Sequence, residues 1–465
     1  MGKIFVLLLI LHLMLIKQTI AQIVITVSTS EELHNTISSA QPGYTILITD
    51  GTYIINNNYF MITVDSITIG SVSGHPESVV IDGDGMNGDD YGFIILSNNV
   101  TVSNITIQNV RYNCIFTTEN TDGLHVNNCV LRDAGEFFLY ISWSNASSPS
   151  ENGIVENCIF EYPAGSGVQS YIGGINGNFC KDWIIRNNVF KSIRSPSIGS
   201  TAYAILFWND SDNTLVEKNR IIDCDRGIGF GIGMQGNSGG IIRNNLIYQR
   251  NIIENDQKGI SLESSPYTQI YNNTIYFEQD IISSIEYRFN TSNEIYIVNN
   301  LTNKPILARD DASGTDTNNV TIALPSWFRD LTTGYLHLSS DTLSEFIDQG
   351  IAISGLFEDF DGDIRPQGLG IDIGADEYTS STDIDRFNSE SILPKIVQLH
   401  QNFPNPFNPS TTIKFELFKT SDVTLKIFNI LGEEVVTLIS DRLTAGSYTY
   451  EWSRPVWSPD RPDRG

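Results

Sequence analysis

A pattern of apolar and polar positions recurs eight times between about Val102 and Thr302. Each unit opens on a β-branched apolar residue, carries a polar residue two positions later and, in seven of the eight, returns to an apolar residue five positions on. The first positions are Val102, Val126, Val155, Ile185, Val216, Ile242, Ile270 and Ile297, at spacings of 24, 29, 30, 31, 26, 28 and 27 residues. The second positions are Asn104, Asn128, Asn157, Asn187, Lys218, Asn244, Asn272 and Asn299. The fifth positions run Ile107, Leu131, Phe160, Phe190, Ile221, Ile247, Ile275 and, last, Thr302.

Strand side chains alternate faces, so residues five apart cannot both point inward unless the chain bends between them. Asn tolerates the left-handed backbone that such a corner needs. Stacked at the same corner of successive coils, these amides are expected to bond to one another as a ladder. A period of roughly 20 to 50 residues marks a solenoid. A leucine-rich repeat also carries one Asn per unit, but here the inward positions are mostly Val and Ile and no unit contains an amphipathic helix. The pattern predicts an all-β chain, a parallel β-helix whose eight coils make a rod of roughly 40 Å at about 4.8 Å per strand.

The chain before the repeat reads in three steps. Residues 1–21 read as a signal peptide, with Lys3, an apolar run from Ile4 to Ile16, and Thr19-Ile20-Ala21 before Gln22. That run is short for a membrane span, the alternative being an uncleaved anchor. Ile23 to Val27 reads as a strand, and Ser28, Thr29 or Ser30 caps a helix from Glu31 to Ala40. Pro42-Gly43, a strand from Tyr44 to Thr49, and Asp50-Gly51-Thr52-Tyr53 follow. A helix there covers sheet ends that would otherwise invite edge pairing. This order resembles the N-terminal cap of pectin-lyase-like right-handed β-helices, some of them polysaccharide lyases. The resemblance implies a right-handed parallel β-helix over residues 22–378.

Charge and cysteine narrow the partners. The net charge of −26, from 54 acidic and 28 basic residues, argues against nucleic acid and anionic membrane. A polyanionic substrate would need a local basic patch or bound cations. The five cysteines (Cys114, Cys129, Cys158, Cys180 and Cys224) have no CxxC spacing and predict no disulfide framework. Cys129 and Cys158 share a repeat position and are expected to stack. Five scattered His after the signal make a His-rich zinc site improbable.

Two clusters could carry chemistry. Asp82, Asp84, Asp89 and Asp90 offer carboxylates from a glycine-rich loop that could chelate calcium. The plainer reading, an acidic turn, is preferred. Lys181, Asp223, Asp225 and Arg226 flank glycine-rich stretches in the middle coils, and stacking in register puts Asp133, Tyr162, Ser192 and Asp223 in one column, with Arg194 and Asp225 in another. In uronate chemistry the acids would hold a cation on the substrate carboxylate while a base takes the neighbouring proton. The alternative is a surface ion pair of little energetic value. Trp143, Trp183, Phe207, Trp208 and Phe230 are candidate sugar-stacking platforms, about half of them expected to be ordinary packing. The Asn-Thr-Asp, Asp-Asp, Gly-His-Gly and Arg-Ile-Lys motifs of the hydrolases with this fold have no counterpart in the repeat.

Residues 303–378 lose the repeat and read as its C-terminal closure. Phe360-Asp-Gly-Asp-Ile-Arg-Pro366 and Ile371-Asp-Ile-Gly-Ala-Asp-Glu377 resemble the terminal segment of surface-anchored bacterial β-helix proteins. Asp359, Asp361 and Asp363 read as a turn, with calcium the alternative. Residues 379–393 form a polar linker. Leu399-His-Gln-Asn-Phe-Pro-Asn-Pro-Phe407, followed by strand patterns to Trp452, resembles the small, Ig-like β-sandwich that acts as the C-terminal sorting domain of type IX secretion. That domain, 394–465, reads as incomplete, because its Pro-rich tail cannot pair as a central strand. The expectation is an exported or cell-surface protein that binds and degrades a polysaccharide, as a lyase or hydrolase. It has no membrane span after signal cleavage, engages the type IX machinery through its last domain, and takes no cofactor unless calcium. The alternative is a non-catalytic glycan-binding or adhesin rod.

Overall fold

Each repeat makes one coil of a solenoid, and the coils stack into three long parallel sheets. The computed structural model describes residues 23–378 apart from 56–58, 86–90, 143–147, 198–201, 251–256, 332 and 340–344, and then 398–399, 410–417, 421–428, 434–443 and 446–453. The expected signal peptide, linker and Pro-rich tail lie outside these residues. Sheet A has 12 strands from Val24–Val27 to Gly314–Thr317. Sheet B has 10, from Gly51–Ile54 to Leu301–Thr302, and sheet C has 10, from Phe60–Ile62 to Ile306–Arg309. Four short strands, Ser150–Glu151, Cys180–Lys181, Ser211–Asp212 and Asn237–Ser238, form sheet D between C and A.

The first positions of the repeat lie on sheet A and the fifth on sheet B, and all sixteen are buried. Between them the second position is left-handed in every coil, with φ from 48° at Asn272 to 59° at Asn299 and 54° even at Lys218. The expected Asn ladder, however, stands one residue further on. Asn188, Asn219, Asn245, Asn273, Asn300 and Asn319 point into the core, each Nδ2 reaching the next Oδ1 at 2.9–3.0 Å. The same Oδ1 also accepts the backbone N–H of the preceding coil's Asn. A left-handed corner turns its own side chain outward and the following one inward, so the second-position amides meet only in places, as where Asn128 Nδ2 donates to Asn104 Oδ1 at 2.7 Å. Cys129 and Cys158 occupy the ladder column in earlier coils, where the Cys129 N–H reaches the Cys158 sulfur at 3.4 Å. All five cysteines are buried thiols.

Both ends of the solenoid are built from the sequence's own signals. Helix α1, Ser30–Ser39, is capped by the Thr29 hydroxyl, which accepts the Glu32 N–H. The Glu32 carboxylate returns to Ser28 N at 2.8 Å, and Leu33 and Ile37 face the core. At the other end the repeat runs one coil beyond Thr302. Ile306–Arg309 and Gly314–Thr317 join sheets C and A, and Asn318 makes a further corner at φ 55°. The hydrophobic pattern hides this coil because Asp316 stands where Ile297 stands one coil earlier.

Residues 320–378 then fold back over the outer face of sheet B. Trp327, Phe328, Leu336, Leu338 and Phe346 pack against Leu246, Tyr248, Tyr276 and Leu301 in a second hydrophobic core. Corner amides hold this segment: Asn244 donates to Glu358 O, Asn272 to Asp372 O, and Asn299 to Ile351 O. Arg365 is fully buried against Glu377, with Nη2 donating to Gly374 O at 2.8 Å.

Residues 394–465 form a separate unit. Ser410–Leu417 pairs antiparallel with Gly446–Ser453, and Ser421–Phe428 with Glu434–Leu443. Two small antiparallel sheets of this kind, with Phe415 stacked on Tyr448, are compatible with a β-sandwich.

Candidate functional site

Sheet C presents the face on which the solenoid gathers its unusual side chains. Its strands send Ile115, Leu139, Ile175, Ile205, Ile228, Ile260 and Ile285 inward in one buried column. The adjacent outward column reads Met61, Ile94, Phe116, Tyr140, Asn176, Leu206, Gly229, Ser261, Glu286 and Leu307. Nothing in the core constrains these positions, so they change character along the rod.

The early coils are aromatic. Tyr59 meets Tyr91 edge-on at 6.2 Å, and Tyr91 stacks on Tyr112 at 5.0 Å and meets Phe116 at 5.5 Å. Phe116 continues to Tyr140 at 5.9 Å, Tyr140 stacks on Phe137 at 5.2 Å, and Phe137 meets Tyr171 at 4.9 Å. The seven rings cross five coils, a length of roughly 20 Å at about 4.8 Å per strand. Tyr171, 59% exposed, ends the run in solvent. Amides come next: Trp208 Nε1 donates to Asn176 Oδ1 at 2.9 Å, and Asn209 to Asn178.

The late coils are charged. Arg226 lies over the Tyr203 ring, with its Cζ 5.0 Å from the centroid and its Nη1 2.5 Å from the phenol oxygen. Tyr203 Oη is also 3.4 Å from Ser261 Oγ. Lys258, in register with Arg226, pairs with Glu286 at 3.3 Å, and Arg309 reaches the other Glu286 oxygen at 3.1 Å. Arg288 bridges Glu263 at 3.8 Å and Asp310 at 2.7 Å. In a chain of net charge −26 this is a local gathering of four cations.

The structure distributes the residues predicted from sequence. Asp223, Asp225 and Arg226 lie together where the chain passes from sheet B to sheet C. Asp223 is buried at a left-handed corner (φ 53°), and its carboxylate takes the Arg250 N–H at 3.0 Å and the Arg250 guanidinium. Asp225 is buried too, accepting Ser195 N at 2.8 Å and Ala202 N at 3.2 Å, with Arg194 Nε at 3.8 Å. These two carboxylates therefore hold Ser195, Ala202 and Arg250, and Ala202 O in turn accepts the Arg226 N–H. Lys181 is not brought to them. It sits on sheet D beyond the far end of the sheet C strands, 43% exposed and 3.8 Å from Glu151.

In the acidic turn, Asp82 accepts Gln108 Nε2 at 2.7 Å, Asn109 Nδ2 at 3.0 Å and Asp84 N at 2.9 Å. These bonds use both its oxygens in holding the turn. Asp84 adopts φ 52° there, and Asp89 and Asp90 lie outside the described residues. Of the candidate platforms, Trp183, Phe207 and Phe230 are core residues, Trp208 faces outward, and Trp143 lies outside the described residues. Sequence reasoning did not single out Lys258, Glu286, Arg309 or the aromatic run. The available signal was alternation, since Lys258-Gly-Ile-Ser-Leu-Glu263 and Ile285-Glu-Tyr-Arg288 set polar residues between core ones.

No protein-family model and no curated protein matches the chain. Among solved structures it is similar to pectate lyase Pel9A, at 15% identity and TM-score 0.45 over 74% of this chain and 90% of that one. It is also similar to an alginate lyase from Paenibacillus sp. str. FPU-7, at 16% identity and TM-score 0.43 over 64% and 95%. A third similarity is to PfbA, a surface adhesin of Streptococcus pneumoniae, at 12% identity and TM-score 0.38 over 64% and 80%. The coil architecture stands on the strand register above, independently of these likenesses.

Proposed function

We propose that the protein binds an acidic polysaccharide lengthwise along the outer face of sheet C and cleaves it by β-elimination. The observation that carries this reading is the unbroken aromatic run from Tyr59 to Tyr171, which leads toward the Arg226–Tyr203–Lys258–Glu286–Arg309 cluster on the same face. Sugar rings present apolar faces that suit aromatic platforms, and guanidinium groups suit carboxylates. In the reaction, Arg226 holds the uronate carboxylate and Tyr203 Oη moves the proton from the adjacent carbon. The electron pair of that C–H bond forms the new carbon–carbon double bond, and the glycosidic bond at the next carbon breaks as its oxygen takes up a proton. Asp223 and Asp225 act by positioning Arg226, and Lys181 meets the polymer away from the reacting bond.

A second reading, a non-catalytic glycan-binding or adhesin rod, is favoured by one feature. Glu286 and Lys258 are only 1% and 7% exposed, which suits a fixed recognition surface better than proton transfer. Export to the outside of the cell, through type IX secretion, rests on the residue patterns of 1–21 and 399–452 alone.

Full-length protein incubated with acidic and neutral polysaccharides, with calcium or chelator, separates these readings. The expected result is ultraviolet absorbance from unsaturated uronate ends, abolished in Arg226→Ala. New reducing ends without absorbance would make it a hydrolase. Retention on one glycan with no product would make it a binding rod. Loss of product with chelator would restore calcium, and with it Asp82, Asp84, Asp89 and Asp90, to the account.

A further inference from the structure

The closure segment holds a cluster that the polysaccharide reading does not use. His337, on strand Tyr335–Leu338, faces two carboxylates from distant parts of the segment. Its Nε2 lies 2.6 Å from Asp361 Oδ2 and 4.0 Å from Asp376 Oδ1. One nitrogen and two oxygens thus converge within 4.8 Å of one another. We propose that His337, Asp361 and Asp376 form a binding site for a zinc-type divalent cation that staples the closure segment together.

Three observations support this. First, the Asp376 side chain is only 10% exposed, and its Oδ1 points into the cluster with no hydrogen-bond partner among the described residues. Its other oxygen is already used, accepting Leu338 N at 2.7 Å. The imidazole at 4.0 Å is too far to hydrogen-bond with Oδ1. Second, the ring is held from both sides by packing. Tyr335 lies at 5.4 Å and Phe360 meets it edge-on at 6.2 Å, while Tyr335 is itself clamped by Arg220 at 4.1 Å. Third, the backbone around the carboxylates is already fixed. Asp359 accepts Asp363 N at 2.8 Å and Glu377 N at 3.0 Å, which makes the expected turn and leaves Asp361 aimed at His337.

The donor set selects the ion. Calcium prefers six to eight oxygens, whereas one imidazole and two carboxylates with room for water suit zinc or a close relative. Ligand arms of about 2.1 Å in a tetrahedron set donors about 3.4 Å apart. The 2.6 Å hydrogen bond would open and the 4.0 Å gap would close by about the same amount. Asp361, on the solvent side, supplies that movement, and the imidazole gives up its Nε2 proton on binding.

The test uses full-length protein stripped with chelator and then titrated with zinc, following heat of binding and unfolding temperature. Cobalt absorbance in the visible range reports the same site in the unaltered chain. The expected result is one equivalent bound, a raised Tm and a nitrogen-and-oxygen cobalt spectrum. His337→Gln and Asp376→Asn should each weaken binding at least tenfold. Absence of stoichiometric binding and of any cobalt band would overturn the proposal, even if a variant failed to fold. So would equal zinc affinity in His337→Gln, or a greater Tm rise with calcium than with zinc. Each readout is independent of any activity on polysaccharide.

Discussion

The two halves of the outer face of sheet C belong to one continuous parallel sheet, early strands in one and late strands in the other, yet they are held in opposite ways. The aromatic half is a run of rings packed on one another, each gaining contact area without charge. The charged half buries Lys258 and Glu286 as an ion pair, which the half-exposed Arg309 reaches from the solvent side. Taking such charges out of water costs several kcal/mol each, so a buried pair is weak support for stability on its own. The aromatic half costs the fold little and suits grip, whereas the charged half is expensive and calls for a use.

Four experiments test that contrast, in falling order of expected effect. Glu286→Ala strands the buried Lys258, and should lower unfolding free energy by about 3–5 kcal/mol in chemical denaturation. A loss below about 1 kcal/mol would show the cluster to be hydrated. Tyr140→Ala should weaken glycan binding about tenfold, equivalent to about 1.4 kcal/mol, in isothermal titration. Rising salt shortens the Debye length from about 10 Å at 0.1 M to about 3 Å at 1 M. Binding should fall accordingly, and the slope should flatten in Arg226→Ala but not in Tyr140→Ala.

The smallest effect belongs to a control on sheet A, where a hydrogen bond with His125, and then Arg186, hold the Glu156 carboxyl down at about 2. Its contribution is present above the ordinary 4.5 and is lost as pH falls from there toward 2. The Tm difference between the parent and Glu156→Gln should therefore be largest at neutral pH, correspond to less than about 1 kcal/mol, and shrink below pH 4.5. A difference that grew on acidification would refute the assignment.

The fold was legible because a solenoid must repeat itself where it is buried. Val102 to Ile297 face the same column in every coil, so the same kind of residue returns. Helix α1 was legible because its cap and first-turn acids are local. The ninth coil was hidden by a single polar residue, Asp316, and the ladder was assigned one position early because both Asn of an Asn-Asn pair fit the composition. The outer face of sheet C was illegible for a different reason. Phe116, Tyr140, Asn176, Ser261 and Glu286 share a column but no common property. Coil lengths of 24 to 31 residues prevent their alignment by counting. Only hydrogen-bonded register sets them side by side. Asp223 and Asp225 were found because they share a corner with Ser192 and Arg194, and that same corner explains their structural employment.

The inward Asn ladder makes a whole coil the natural unit of inheritance. A segment duplicated from one ladder Asn to the next carries its own rung, its own corner and one strand for each long sheet, so it can be inserted without redesigning the core. Each such event lengthens the outer face of sheet C by about 4.8 Å. The length of this face can thus be extended or reduced in lineage by whole steps.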